Sequence, residues 1–466
     1  MERLPTELLY YIGHYSREES YSSRNLWALS LCSRRFHDVF NTLLYSEIRI
    51  DHDGDRIPLH DVNLIIRLWH NAQLARRVHR LHIRWQECGR SESSESEEEP
   101  QTVAFIDTAL DEIFGSDASL DRTRDEWKHH LLARCPEAWA GVLLVRLSHL
   151  RRLVVGYEQS DLLADILRKA AQRQQPFHRT PPFPHLVEVN AYAQGRLYWI
   201  DSDILTSFFY FPAVRRVNAF AVAETSAAPG SLAVHHESRP VQSIAIANVI
   251  YCRGMLDWLA ASVGLEHVAL KIAVHPADNY WNLPPTRRFH APRFRQALLP
   301  FAETLRLLCL EAACSYKLVW WDNDRDQDEA AFGSFREFVN LRKLIVRCPF
   351  LLPQSSTNDE TPLPDILPAS LESLGITDIE DFDYPNLVAE VLRLVRHGPN
   401  LFARLNQIQL YVIHIDEDAL AGLRTECESA GIDLKVEKQQ EEPWEYHLVS
   451  AMAALPIDTD VYIPVV

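Results

Sequence analysis

Glycine is scarce in this sequence, with 15 residues among 466. Tight hairpins favour glycine at positive φ, so a β-propeller or β-sandwich built on many such turns is disfavoured. Alongside 26 prolines, the shortage points to helices and longer connections. Long apolar runs are missing as well. No stretch of 18 apolar residues occurs, and no segment is expected to span a membrane. The eight cysteines form no C-x-x-C pair and no compact framework. No secretory leader is read in Met1-Glu2-Arg3-Leu4-Pro5, so reduced thiols and a cytoplasmic or nuclear location are expected. Excess positive charge is absent too. With 64 acidic against 47 basic residues the net charge is −17, which excludes whole-surface attraction to nucleic acid or anionic lipid but leaves room for a local basic face.

The motifs of chemistry are also lacking. There is no Walker loop, G-x-G-x-x-G, G-x-S-x-G or H-E-x-x-H. The pairs His129-His130 and His235-His236 are adjacent and point apart on a helix or strand, and His79 and His82 are expected on opposite sides of a strand. Asp322, Asp324, Asp326 and Asp328 alternate with other polar residues but lack the glycine and glutamate of a calcium loop. No catalytic residue, metal ligand or cofactor is expected.

What is present is 47% apolar sequence, enough to bury a sizeable core. At the N-terminus, Pro5 suits a first helical turn and Leu8, Leu9 and Ile12 follow at helical spacing. After a polar stretch, Ser16 to Asn25, a second helical stripe runs through Leu26, Leu29, Cys32, Phe36, Val39, Phe40 and Leu43. Helices this short bury their own apolar faces poorly, so they pack on the rest of the chain or await a partner helix.

The opening Leu4-Pro5, Glu7, the Leu8/Ile12 pair and Leu26-x-x-Leu29-x-Leu31-Cys32-Ser33-Arg34-Arg35-Phe36 resemble the F-box family. Gly13-His14-Tyr15 stands where that family carries an apolar end to the first helix. The resemblance implies a small helical module, residues 1–48, that docks on a Skp-type adaptor and so joins a cullin–RING ubiquitin ligase. Leu4, Pro5, Leu8, Ile12, Leu26, Leu29, Cys32 and Phe36 would be the docking residues or their support.

Beyond it one hexamer recurs, apolar-x-x-apolar-x-apolar, whose last two apolar residues alternate as in a strand. It begins at Val78, Leu150, Leu186, Val214, Val241, Leu265, Leu305, Leu341, Leu371 and Leu405. From Leu150 the steps are 36, 28, 27, 24, 40, 36, 30 and 34 residues. Helical patterns lie between, at Asp161 to Gln172, Asn386 to Val395 and Asp416 to Ala430. Strand, connection, helix, strand is the order of parallel strands with crossovers. The pattern is similar to leucine-rich-repeat architecture, which F-box proteins often carry for substrate binding. The usual Asn or Cys three residues past the last template position is missing: Glu158, Gln194, Val222, Val249, Ala273, Ala313, Pro349, Ile379 and Ile413 stand there. The expected fold is therefore α/β, a small helical module followed by an irregular solenoid. An ordinary α/β domain whose strands share a motif stays open beside it.

The domain reading places a connecting segment and first repeat-like unit at 49–87, an acidic disordered loop at 88–102, the solenoid at 103–437 and a tail at 438–466. Within the loop, Ser94 and Ser96 each have Glu three residues on, which suits acid-directed kinases. In each hexamer the fourth and sixth residues should face the core, and the third, fifth and seventh the open side of the sheet. Those positions hold Arg152, Glu188, Asn190, Tyr192, Arg216, Asn218, Phe220, His267, Lys271, Glu311, Lys343, Arg347, Gln407, Gln409 and Tyr411. Five are Lys or Arg and two are Glu, the reverse of the chain's own balance. An acidic or phosphorylated protein segment is the target expected there, bound by a non-catalytic substrate receptor. The readings kept beside it are an orphan α/β hydrolase or transferase and a ligase-independent scaffold.

Overall fold

The structure is a computed structural model that describes residues 4–15, 22–51, 56–84, 100–115, 121–157, 162–193, 199–223, 239–250, 253–273, 289–312, 331–352, 361–379, 384–412 and 415–438. Most of the acidic loop, the tail after Lys438, the aspartate run at 322–328 and His235-His236 lie outside the described residues. The chain forms two compact units, Met1–Tyr198 with Tyr210–Val214, and Trp199–Phe209 with Arg215–Val466.

The first unit opens on α1 (Thr6–Tyr15), α2 (Ser22–Ser30) and α3 (Arg34–Ser46). The single stripe expected from Leu26 to Leu43 is thus two helices. Ser33 causes the break: it is extended (φ −159°, ψ 164°) and its Oγ accepts the Phe36 N–H at 3.2 Å, an N-cap that starts α3 afresh. Leu9, Leu26, Phe36, Val39, Phe40 and Leu43 close a core of their own, with the Phe36 and Phe40 rings edge to face at 5.4 Å.

The chain then alternates through β1 (Glu47–Asp51), α4 (Leu59–His70), α5 (Ala72–Ala75), β2 (Arg80–Arg84), α6 (Pro100–Phe114), α7 (Asp121–Leu132), α8 (Pro136–Arg146), β3 (Arg152–Tyr157), α9 (Leu162–Ala171) and β4 (Glu188–Ala193). Pro100 opens α6, so residues 100–102 are helical rather than loop. Strands β1 to β4 pair in sequence order, all parallel. Helix α8 is buried almost throughout, packed with α4, α7 and α9, and Trp139 stacks on Phe105 at 5.8 Å.

The second unit carries β5 (Ile200–Asp201), α10 (Ser202–Phe208), β6 (Arg216–Ala223), β7 (Ser243–Ile250), α11 (Arg253–Ala261), β8 (His267–Ile272), α12 (Ala291–Leu298), β9 (Leu307–Ala312), β10 (Lys343–Arg347), α13 (Cys348–Leu351), α14 (Leu363–Ile366), β11 (Ser373–Ile379), α15 (Tyr384–Leu401), β12 (Gln407–Val412), α16 (Glu417–Ala430) and β13 (Asp433–Lys438). Its strands too are parallel and pair in sequence order.

The fourth hexamer residues pair directly: Leu81, Leu153 and Val189 in the first unit, and Val217, Ile244, Val268, Leu308, Leu344, Leu374 and Ile408 in the second. All ten expected strands are present, with β1, β5 and β13 in addition. The α/β solenoid of parallel strands and intervening helices is the fold.

The missing asparagine ladder has a backbone substitute. Ala221, Asn248 and Asp378, each the eighth residue of its repeat, take φ of 57°, 57° and 56°. The left-handed residue turns the strand so that the ninth, Val222, Val249 or Ile379, is buried in the core where the family pattern would set a polar side chain. Asn and Asp tolerate that conformation; for Ala it costs roughly 1–2 kcal/mol.

Candidate protein-docking surfaces

The helical module divides its apolar residues between a core and an outer face. Of the eight residues the F-box resemblance singles out, Leu26 and Phe36 are in the core. Leu4, Ile12 and Leu29 pack against it half-buried, and the Leu4 carbonyl accepts from the Arg35 guanidinium. Pro5, Leu8 and Cys32 are exposed, Cys32 in the break between α2 and α3.

Four large apolar residues of the module outside those eight are exposed as well: Tyr11, Tyr15, Trp27 and Leu31. With Leu8 they supply half of the ten exposed large hydrophobics of the described chain, within 24 residues. Leu8, Tyr11 and Tyr15 share one face of α1 by their i, i+3, i+7 spacing. Such concentrated apolar exposure makes these residues a candidate docking surface. The spacing was visible in the sequence, but Tyr11 and Tyr15 were outside the family pattern. Gly13 has its own reason. A methyl there would collide with Leu43 Cδ1 and press on Phe40, so the glycine lets α1 lie close on α3.

The sheet face of the first unit is polar. Arg152 Nη2 meets Glu188 Oε1 at 2.7 Å, and Asn190 Nδ2 donates to the same oxygen at 3.0 Å. Glu188 and Asn190 are buried by that network, whereas Arg152 and Tyr192 are half-buried. Tyr192 OH and His82 Nε2 share a hydrogen bond at 2.9 Å across β3, where Gly156 lies in register with Tyr192 and offers no side chain between them.

The corresponding face of the second unit is apolar at its centre. Ala245, Ala269, Leu307, Cys309 and Ile345 form a buried cluster there. Ile345 occupies the space left by Gly375, where an added Cβ would approach its Cγ1 to 3.1 Å. Half-buried around it are Arg216, His267, Lys271, Lys343, Gln407, Gln409 and Tyr411, with Glu311 in register with Lys271. Burial, with Glu437, Glu311 and Cys309, pushes the Tyr411 hydroxyl up to about 12. Burial and Glu311 raise the Cys309 thiol well above its ordinary range, which makes it a poor nucleophile.

Five expected contacts need correction, the buried Glu188 and Asn190 among them, because the alternation sets their direction and not their access. Asn218 and Phe220 are buried. Arg347 is sealed in an ion pair with Asp378 at 2.6 Å, both side chains 5% exposed, with its guanidinium over the Phe350 ring.

A cavity of about 180 Å³ opens where the middle strands of the second unit begin, lined by Glu266, Glu303, Thr304, Arg306, Asn340 and Arg342. It is smaller than the roughly 300–1,000 Å³ of small-molecule sites, and its arginines are matched by glutamates. Among the described residues no group of three or more His, Cys, Asp and Glu could hold a metal ion, and no helix is long and apolar enough to cross a membrane.

A search of curated proteins returns no match. Residues 97–436, nearly three quarters of the chain, match the leucine-rich repeat domain. That match covers nine of the ten hexamers, from Leu150 to Leu405, and the chain belongs to the leucine-rich repeat domain family.

Proposed function

We propose that this chain is the substrate-recognition subunit of a Skp–cullin–F-box ubiquitin ligase, with the N-terminal module docking a Skp-type adaptor and the repeats capturing a protein target. The leucine-rich repeat region supports the coarser part, a protein-interaction scaffold of a typically non-catalytic family. The finer part rests on one observation: a three-helix module with its own core leaves Leu8, Tyr11, Tyr15, Trp27 and Leu31 exposed. On this reading the chain makes and breaks no bonds. It raises the effective concentration of its target beside ubiquitin activated elsewhere in the complex. The half-buried Arg216, Lys271 and Lys343, in a chain of net charge −17, favour an acidic or phosphorylated target segment, met in the cytoplasm or nucleus.

Co-expression of the full chain with a Skp-type adaptor tests it. A stoichiometric complex lost on Leu8→Asp with Trp27→Asp is the expected result. No complex with the wild-type chain would remove the ligase reading and leave the ligase-independent scaffold.

A further inference from the structure

In the first unit, the edge where β2, β3 and β4 begin gathers basic side chains. Arg76, Arg77 and His79 precede β2, His149 and Arg151 precede β3, and His185 precedes β4. The parallel ladder sets these starts side by side: Arg151 N–H donates to the His79 carbonyl at 2.7 Å, and Val187 N–H to the Arg151 carbonyl at 2.8 Å. The His149 and His185 rings lie 4.9 Å apart at 37°. Arg151 acts electrostatically on His79, and both Arg76 and Arg151 act on His149.

No carboxylate is among the charged groups that act on either imidazole, and among the described residues none of these six side chains has an ion-pair partner. The same edge of the second unit is different. There Arg306 meets Glu266 at 3.5 Å and Arg342 meets Glu372 at 3.7 Å. Where β2, β3 and β4 open, the one carboxylate, Glu188, is taken up by Arg152 at 2.7 Å.

We propose that the strand-start edge of the first unit binds a doubly charged oxyanion, a phosphoryl group, with Arg76 and Arg151 as fixed-charge contacts and His79, His149 and His185 as hydrogen-bond donors. Guanidinium forks match phosphate geometry, and imidazolium adds charge-assisted bonds. The phosphoryl group comes either as free phosphate or on a phosphorylated protein segment; the chemistry of the site is the same. None of these residues is among the exposed residues of α1, so the proposal stands apart from adaptor docking.

Proton linkage follows. Burial first, then Arg151, His149 and His185, hold His79 below its ordinary value; burial, then His185, Arg76 and Arg151, do so for His149. A bound dianion supplies the missing opposite charge and raises both. Binding therefore takes up protons and tightens as pH falls from about 8 to about 6.

The test is calorimetric titration of the full chain, at constant ionic strength, with inorganic phosphate, with sulfate and with a phosphoserine peptide beside its unphosphorylated form. Sulfate keeps its double charge throughout and isolates the protein's share of the pH dependence. Saturable binding is expected, with affinity for sulfate rising toward about pH 6 and at least about tenfold weaker in Arg76→Ala with Arg151→Ala. The paired Lys variant should keep part of it. Tighter binding of the phosphopeptide than of phosphate assigns the source to a protein; the reverse assigns it to the free ion. No saturable binding by any anion, or equal binding by the paired Ala variant with unchanged circular dichroism, overturns the proposal. Both arginines are exposed, so their loss leaves the fold in place.

Discussion

Leu8 and Leu9 are consecutive residues of α1 with opposite surroundings, 47% and 0% exposed. Truncating each to Ala separates docking from folding. Leu9 packs in the core with Leu26, Phe36 and Phe40, so Leu9→Ala should destabilise the module by about 2–5 kcal/mol. A module this small has little more than that in reserve, and its helices should lose hydrogen-exchange protection. Leu8→Ala removes a half-exposed side chain and should change module stability by no more than about 0.5 kcal/mol. On the proposed ligase reading its effect belongs to the adaptor complex. Full burial of a leucine contributes about 1.5–3 kcal/mol, and roughly half remains to be gained, so adaptor affinity should fall by about 1 kcal/mol, some fivefold. Trp27, 58% exposed, is the stronger anchor, and its truncation should cost about 2 kcal/mol or more. The pair Leu8→Ala and Trp27→Ala should therefore weaken the adaptor complex by about 3 kcal/mol, more than a hundredfold. Calorimetry with a purified Skp-type adaptor measures the affinity, and hydrogen exchange over residues 4–46 measures the fold. Unchanged affinity in the double variant, with protection intact, refutes the docking surface. Equal loss of protection in Leu8→Ala and Leu9→Ala refutes the division between core and outer face.

Other outcomes follow from single sites. Gly13→Val should force α1 away from Leu43 and Phe40 at a cost of about 1–3 kcal/mol, read as lost exchange protection in α1 with the repeats unaffected. Arg347→Met takes the guanidinium away from the buried Asp378 carboxylate and should cost about 3–5 kcal/mol. Adding Asp378→Asn, which keeps a residue tolerant of positive φ, should recover most of that loss in urea titrations, and single variants within about 0.5 kcal/mol of wild type would contradict the buried pair. Burial foremost, with Arg306 and Arg216, outweighs Glu266 and holds His267 below its ordinary value. Between that lowered value and about 6.5 the unfolded chain binds the extra proton, so stability is present above the window and falls as pH drops through it. His267→Gln should flatten that acid limb in thermal melts from about pH 7 to about pH 5.

The repeat was legible because period-two alternation repeats in register: Leu308, Leu344 and Leu374 pair directly, as the hexamer implied. Of the three strands outside the template, β1, β5 and β13, the first and last escaped it for local reasons. Strand β1 follows α3 without a break, so Tyr45-x-x-Ile48-x-Ile50 straddles the expected boundary at residue 48 between helical module and connecting segment. Strand β13 lacks the first apolar residue because Gly431 stands there at φ 73°, capping α16 through its N–H. The position-eight bends were partly signalled by Asn248 and Asp378, whose side chains suit positive φ, but Ala221 carries no such mark. Access to the sheet face was not legible at all. Alternation says which side chains point away from the helices and nothing about what they meet there. Arg347 is the sharpest case, since its partner Asp378 sits 31 residues away on the neighbouring strand.

The N-terminal helical module shows why the F-box pattern and physical role part company. Helix α1 has apolar residues at Leu8, Leu9, Tyr10, Tyr11, Ile12 and Tyr15, nearly all the way round. Periodicity cannot choose an inner face from such a helix, and the family pattern fixes identities without saying which of them hold the module together. Packing decides. Leu9 meets Phe40 and Leu43 because Gly13, one turn on, lets α1 settle against α3. That contact rotates Leu8, Tyr11 and Tyr15 outward together. Leu26 and Phe36, two residues that carry the F-box resemblance, then stand behind the exposed residues rather than among them. A partner that docks here should meet tyrosines and a tryptophan as well as leucine. Large, rigid aromatic anchors of that kind bind at low entropic cost and are the common hot spots of interfaces.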